Sequence, residues 1–376
     1  MTMDNLRIII SGGGTGGHIF PAVSIANALK EAAPSCEILF VGAKGRMEMT
    51  RVPEAGYRIE GLPVAGLQRK LSLANLALPF KVLQSICMAR GIIRKFKPDV
   101  AVGVGGYASA PLLWAASSMK IPCLIQEQNS FAGLTNKKLA DKVQKICVAY
   151  DGMERYFPAE KIIFTGNPIR NSIRQCEDSQ KASARSAYGL DPAKQTVFVV
   201  GGSLGCKTLN EVMEKWVAER SALAGYQILW QCGKAYKEEE DSFMAEPSHA
   251  GARNIVYSDF IKDMEAAYQA ADVVVSRAGA GTISELCVAG KASIFVPSPF
   301  VAEDHQTHNA MALTEKGAGV LVRDDEAVEK LIPCFEELLA EPERIKSLET
   351  NILKLARRNS SRDIAQEVIK LARKNG

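Results

Sequence analysis

The run Ser11-Gly12-Gly13-Gly14-Thr15-Gly16-Gly17-His18 constrains this chain more than any other stretch. It follows an apolar segment, residues 6–10, that reads as a buried strand, and it precedes residues 19–31, which read as a helix. A strand, a glycine turn and a helix start bring several backbone N–H groups and a positive helix end to one point, a ready anion site. Glycine suits such a turn because the backbone must bend tightly and approach a ligand closely. The spacing Gly12-x-Gly14-x-x-Gly17 matches the dinucleotide fingerprint, a pattern shared by many α/β proteins.

Around this turn the first half alternates apolar runs with helical patterns. Strands are expected at 6–10, 36–41, 100–104, 123–125, 146–148 and 162–164, and helices near 19–31, 46–55, 72–96, 108–117 and 131–140. Repeated β-α units imply a parallel sheet with helices on both faces and ligands beyond the carboxyl ends of the strands. Three loops fall at such ends: the opening glycine turn, Gly103-Val104-Gly105-Gly106-Tyr107, and Gln126-Glu127-Gln128-Asn129. One such loop alone would read as a turn; three on the same sheet edge read as a site, with Glu127 and Asn129 facing the same crevice as His18.

Gly166-Asn167-Pro168 punctuates the chain, and the polar stretch 175–193 reads as a linker leading into a helix. The pattern then restarts with a strand at 196–200, the turn Gly201-Gly202-Ser203-Leu204-Gly205 and a helix at 208–220. Further strands are expected at 227–231, 254–257, 272–275 and 293–296, and helices near 262–270, 282–289, 305–316, 325–340 and 342–356. A chain of 376 residues is long enough for two domains. The expected architecture is α/β, with two Rossmann-like domains, 1–167 and 168–359, facing each other across a cleft. The amphipathic segment 361–374 is expected to return to the first domain, placing 360–376 there.

Composition narrows the setting. Nine cysteines form no C-x-x-C pair, so neither a disulfide framework nor a zinc knuckle is indicated, and a reducing cytoplasm fits. The chain enters its first strand without a leader-like segment, and no apolar run reaches the ~18 residues a spanning helix needs. The net charge of +4 divides unevenly, with +8 on residues 1–168 and −4 on the remainder. Such a basic half suits a membrane, a nucleic acid or an acidic substrate, or is incidental. Between Arg69 and Lys97 lie seven basic and no acidic residues, interleaved with leucines, isoleucines and phenylalanines. This stretch fits either an anionic bilayer surface or a core helix with a solvated basic face.

Two further segments carry chemistry. In Ser276-Arg277-Ala278-Gly279-Ala280-Gly281-Thr282-Ile283-Ser284-Glu285, glycines and hydroxyls at a helix start suit a diphosphate. Glu285, about one turn in, can accept two hydrogen bonds from ribose hydroxyls or simply complement the helix dipole. Asp304-His305-Gln306-Thr307-His308-Asn309 holds two histidines but no third metal ligand at zinc spacing, and suits a sugar better. A nicotinamide enzyme needs an acid at the end of the second strand, where this chain has Gly42-Ala43-Lys44. No Gly-Lys-Ser/Thr follows the glycines, so the turn is not a Walker motif.

The ordered set Gly13 to His18 with Pro21, Gly105-Gly106-Tyr107, Glu127-Gln128-Asn129 with Asn136, Gly166 to Arg170, Gly201-Gly202-Ser203 with Asn210, Ser276 to Glu285, and Asp304-His305-Gln306 with Asn309 closely resembles the MurG glycosyltransferases. The resemblance runs through nearly the whole chain and implies a GT-B fold. It implies transfer of N-acetylglucosamine, with inversion, from UDP-N-acetylglucosamine to the 4-hydroxyl of undecaprenyl-diphosphate-linked N-acetylmuramoyl-pentapeptide, a step of peptidoglycan synthesis. By the same resemblance, Ile261 meets the uracil through its backbone and Glu285 holds the ribose. Ser203, Ala280, Gly281 and Thr282 surround the diphosphate, and Ile283 and Ser284 belong to the same set of donor-binding residues. Asn129 and Gln306 contact the donor sugar, Arg170 shapes the donor site, and Thr15, Gly16 and Gly17 face the reacting groups. Gly14, Gly105, Gly106 and Tyr107 lie on the acceptor side. The resemblance implies no metal and no cofactor, so backbone N–H groups and helix ends must stabilise the departing UDP. A base must take the hydroxyl proton, and His18 and Glu127 are the candidates.

A polyprenyl acceptor implies peripheral docking on the cytoplasmic face of the bacterial inner membrane, against an anionic leaflet rather than a nucleic acid. The stretch Arg69 to Lys97 is then the candidate contact. His305 and Gly281 depart from some family members, which have glutamine and a bulky residue there. Two rival readings are a GT-B-fold UDP-N-acetylglucosamine 2-epimerase, which needs no acceptor, and a non-catalytic nucleotide-sugar-binding membrane adaptor.

Overall fold

In the first strand, β1 (Arg7–Ser11), Ile8 and Ile10 bury into one hydrophobic layer and Ile9 into another, so both faces of the sheet are covered. That is the requirement of a parallel sheet, whose crossover helices lie on its faces. The computed structural model describes residues 6–64, 78–170, 172–249 and 251–373. They divide into two units, Met1–Ile169 with Arg357–Gly376, and Arg170–Ala356.

The first unit adds β2 (Glu37–Ala43), β3 (Arg58–Leu62), β4 (Val100–Gly103), β5 (Cys123–Glu127), β6 (Lys145–Val148) and β7 (Ile162–Phe164). The seven strands order as β3-β2-β1-β4-β5-β6-β7, with every pairing parallel. Its helices include α1 (Gly16–Ala32), α2 (Glu48–Glu54), α3 (Leu78–Phe96), α4 (Ser109–Ser118) and α5 (Leu134–Leu139). The C-terminal helix Ser360–Arg373 closes this unit. Its Ile364, Ala365 and Val368 are fully buried in one layer with Ile25, Ala26 and Leu29 of α1. Gly166 makes room for that return, because a Cβ there would collide with Arg357 and Ser360.

The second unit repeats the plan with β8 (Thr196–Val200), β9 (Gln227–Gln231), β10 (Ile255–Ser258), β11 (Val273–Ser276), β12 (Ala292–Phe295) and β13 (Val320–Leu321). The order is β10-β9-β8-β11-β12-β13, again all parallel. Helices α6 (Lys181–Ala187), α7 (Lys207–Glu219), α8 (Lys237–Met244), α9 (Met264–Ala270), α10 (Ala280–Ala289), α11 (His305–Thr314), α12 (Ala327–Ala340) and α13 (Pro342–Lys354) complete it. In each sheet the strand order reverses once, between β1 and β4 and between β8 and β11. Ligands of such sheets bind beyond the strand ends at that reversal.

Several expectations need correction. The first helix starts at Gly16, inside the glycine run, because Thr15 is its extended N-cap, so Gly16, Gly17 and His18 form its first turn. The stretch 175–193 is not a linker. It folds as a turn and α6, and its charged residues are used internally: Arg185 is buried and donates to Asp272 at 2.6 Å and to the Ala270 carbonyl at 3.0 Å. The strands β3 and β13 and the acidic helix α8 were not expected. Of the basic-apolar stretch from Arg69, residues 69–77 lie outside the described residues.

Candidate functional site

The turns after β1 and β4 are neighbours at the first reversal point. Gly13 N–H donates to the Gly105 carbonyl at 3.3 Å, and Val104 N–H to the Ser11 carbonyl at 2.7 Å. Gly105 and Gly106 have φ of +98° and +90°, which favours glycine. A Cβ on Gly105 would strike the His18 ring, and one on Gly106 would strike the Gly13 backbone. Thr15, Gly17 and Tyr107 are exposed at this edge, and the Arg46 guanidinium lies 5.8 Å from the centre of the Tyr107 ring.

His18 is half-buried, with Nδ1 3.1 Å from the Gly13 carbonyl oxygen and 3.4 Å from Thr15 Oγ1. A carbonyl oxygen can only accept, so in this contact Nδ1 carries the proton. The neutral ring then keeps its lone pair on Nε2, the state a base needs. The turn differs from a bare anion site in one respect. Gly14 N–H already donates, at 2.8 Å, to the buried carboxylate of Glu48 at the start of α2.

Glu127, at the end of β5, is buried and saturated. Oε1 accepts from Asn129 N–H at 3.1 Å and Asn129 Nδ2 at 3.3 Å; Oε2 accepts from Gly133 N–H at 3.1 Å and Asn136 Nδ2 at 2.8 Å. Burial pushes its carboxyl upward, while these donors oppose the rise. Buried amides stitch the loops of this edge together. Gln128 Nε2 donates to the Val104 carbonyl at 2.8 Å, Asn167 Nδ2 to the Gln128 carbonyl at 3.0 Å, and Gln126 Nε2 to Asn167 Oδ1 at 2.9 Å. The edge therefore holds His18, Gly14, Gly105, Gly106, Tyr107, Glu127 and Asn129 at three strand ends, tied to a fourth loop through Asn167.

At the reversal point of the second unit, the exposed turn carrying Ser203 follows β8, and α10 follows β11. The N-cap of α10 is Gly279, which offers no side-chain cap. The first-turn N–H groups at Ala280, Gly281 and Thr282 have no intrahelical acceptor by helix geometry. Ser284 Oγ donates back to the Ala280 carbonyl at 2.9 Å, and Ile283 is buried.

Glu285 is buried, and burial pushes its carboxyl upward against the pull of Arg170. Its Oε1 accepts from Arg170 Nε at 2.9 Å, and its Oε2 from the Tyr268 hydroxyl at 3.1 Å. Tyr268 is itself buried and stacked edge-on to Phe198 of β8. Gln231, at the end of β9, bridges two loops: Nε2 donates to the Gly202 carbonyl at 2.9 Å, and Oε1 accepts Ile261 N–H at 2.8 Å. Ile261 thus has its N–H in use. Gln306, in the first turn of α11, accepts Ser298 N–H at 2.9 Å. Among the described residues no three His, Cys, Asp or Glu side chains are grouped to hold a metal ion. Sequence reasoning missed Glu48, Tyr268 and Gln231 because each acts on partners distant in the chain.

Comparisons with known proteins bear on these sites. Residues 8–148 match the glycosyltransferase family 28 N-terminal domain, and residues 196–368 match the family's C-terminal domain. A curated protein of Phocaeicola vulgatus, named as a UDP-N-acetylglucosamine--N-acetylmuramyl-(pentapeptide) pyrophosphoryl-undecaprenol N-acetylglucosamine transferase, is 56% identical over 99% of this chain and 98% of its own length. A Bacteroides fragilis protein of the same name is 54% identical over 99% of this chain and 97% of its own. The crystal structure of MurG from Acinetobacter baumannii superposes with a TM-score of 0.78 at 28% identity, covering 97% of this chain and 99% of that one.

Proposed function

Because this chain belongs to glycosyltransferase family 28, we propose that it transfers N-acetylglucosamine from UDP-N-acetylglucosamine to the 4-hydroxyl of undecaprenyl-diphosphate-linked N-acetylmuramoyl-pentapeptide in peptidoglycan synthesis. The observation that carries this is near-full-length identity above one half to relatives named for that transfer. The fold is of the GT-B class, with two Rossmann-like domains.

In the proposed reaction the muramoyl 4-hydroxyl oxygen bonds to the anomeric carbon as that carbon's bond to the diphosphate oxygen breaks. UDP leaves with the electron pair, and the hydroxyl proton goes to His18 Nε2. The Nδ1 contact to the Gly13 carbonyl supports His18 as the base. The four N–H donors on Glu127 support a different role, holding Asn129 and the loop to Gly133 in shape. The leaving diphosphate faces Ser203 and the N-terminus of α10, where fixed dipoles stabilise charge without reorganisation. Glu285 takes the ribose hydroxyls, and the Ile261 carbonyl accepts from the uracil. Arg170, Asn129 and Gln306 border the donor sugar, with Thr15, Gly16 and Gly17 at the reacting end. Gly14, Gly105, Gly106 and Tyr107 form the acceptor side.

Docking is proposed to be peripheral, on the anionic cytoplasmic leaflet of the inner membrane. No helix among the described residues is long and apolar enough to cross a membrane. Support comes from α3 and α4: Phe80 is 77% exposed and Leu83 61%, Trp114 is 46% exposed, and Lys142 Nζ lies 4.1 Å over the Trp114 ring. Lys81, Arg94 and Lys95 are exposed on the same helix as Phe80. Exposed rings beside basic residues suit an anionic interface.

UDP release, followed by chromatography with and without the lipid acceptor, tests the reading. Release only with acceptor is expected. Conversion of the donor sugar without acceptor would instead indicate the epimerase, and binding without turnover the adaptor.

A further inference from the structure

We propose that Glu48 is a positioning residue for His18, acting through the single peptide group that joins Gly13 to Gly14. This rests on the reading of His18 as the base. The Gly13 carbonyl oxygen lies 3.1 Å from His18 Nδ1, and the N–H of the same peptide, at Gly14, donates to Glu48 Oε2 at 2.8 Å. The C=O and N–H of a trans peptide point in opposite directions, so imidazole and carboxylate engage one planar, polarisable group from its two ends. Hydrogen bonds in such a chain strengthen one another away from water. The carboxylate draws on the N–H, the carbonyl oxygen becomes a better acceptor, and the tautomer with its proton on Nδ1 is favoured. Nε2 is then the atom that takes the substrate proton.

The surroundings of Glu48 are built for this. The residue is 1% exposed. Its other oxygen accepts Ala43 N–H at 3.0 Å, at the end of β2. It is the first residue of α2, where the helix dipole favours a negative charge. Two glycines leave the space it fills: a Cβ on Gly13 would collide with its carboxylate, and one on Gly42 with its Cγ. A buried carboxylate needs such donors to pair its oxygens. Here one of them belongs to the peptide that orients the base. The arrangement does for His18 what a carboxylate bonded directly to Nδ1 does in a hydrolase triad, with one peptide interposed.

The test is nitrogen NMR on protein labelled at histidine. Of the four histidines in the chain, His18 is identified by the resonances lost in His18→Gln. In the unmodified protein the neutral His18 ring should carry its proton on Nδ1. In Glu48→Gln, which keeps the shape but cannot offer two anionic acceptors, the Nε2–H tautomer should become detectable. The same variant should lose about tenfold in kcat, less than the ~10²–10⁴-fold a general base itself contributes. Its KM for UDP-N-acetylglucosamine should not change. An Nε2–H tautomer in the unmodified protein overturns the proposal without any variant, so it stays testable if Glu48→Gln does not fold. A folded Glu48→Gln with an unchanged tautomer overturns it as well, whatever its kcat. Failure of the underlying reading looks different: His18→Gln would retain kcat while the tautomer still answered to Glu48.

Discussion

At the residue scale Glu285, the proposed ribose-binding group, is a buried carboxylate held by two donors. Burial pushes its carboxyl upward, and Arg170 and Tyr268 oppose the rise. Removing the Tyr268 hydroxyl takes away a donor to a charged group, worth about 1.5–3 kcal/mol. Tyr268→Phe is therefore expected to weaken UDP binding about tenfold by calorimetry, and to weaken it less for 2′-deoxy-UDP; equal weakening of both would remove Tyr268 from the ribose site. Glu240 of α8 is a contrasting case. It is fully buried, and neither of its oxygens has a hydrogen-bond partner among the described residues. Desolvation, with Glu214 and Glu239 nearby, pushes its carboxyl to about 8 from the ordinary 4.5. A folded-state pKa raised in this way contributes stability that is full below 4.5 and lost as pH rises through about 8. Glu240→Gln has no proton to lose, so its advantage in urea midpoint over the parent should grow from about pH 6 to about pH 9. A constant difference would mean that Glu240 does not titrate there. Tyr268, Glu48 and Glu240 do not stand out in the sequence. Tyr268 lies 17 positions from the carboxylate it serves, Glu48 lies 34 from Gly14, and Glu240 sits among acidic neighbours that look like a solvated face.

At the scale of elements, what was legible was what local chemistry determines. Apolar runs ending in glycine turns marked β1, β4, β8 and β11, the four strands at the two reversal points. The strands that escaped notice were β3, whose Glu60 and Gly61 break the apolar run, and β13, only two residues long. The polar segment around α6 looked unstructured because its charges pair with Asp272, far away in the chain. The C-terminal helix was visible from its periodic apolar stripe, and its attachment can be tested. Ile364→Ala empties a fully buried position and should cost about 2–5 kcal/mol in urea denaturation. A loss below about 1 kcal/mol would contradict the packing described. For α3, each basic residue near an anionic surface is worth about 1 kcal/mol. Reversing Lys81 and Arg94 should therefore lower binding to vesicles containing phosphatidylglycerol at least tenfold. Unchanged binding would take α3 out of the membrane contact.

Across the whole molecule, two sheets with the same reversal in strand order present two sets of loops at comparable places. The first set carries a histidine and crowded glycines; the second carries a helix N-terminus, a carboxylate and a backbone carbonyl. That division of labour suits a reaction with one nucleotide-bound donor and a separate acceptor hydroxyl. The sequence order of strands conceals this, because β1 and β4 become neighbours only after two strands have been placed on the other side. The most direct test is transfer of radiolabelled N-acetylglucosamine from UDP to a lipid-linked muramoyl-pentapeptide, with His18→Gln run alongside. Label should enter the lipid fraction only when acceptor is present, and the rate should fall ~10²–10⁴-fold in the variant. Absence of acceptor-dependent label from the unmodified protein, or alteration of the donor sugar when it is supplied alone, would contradict the account.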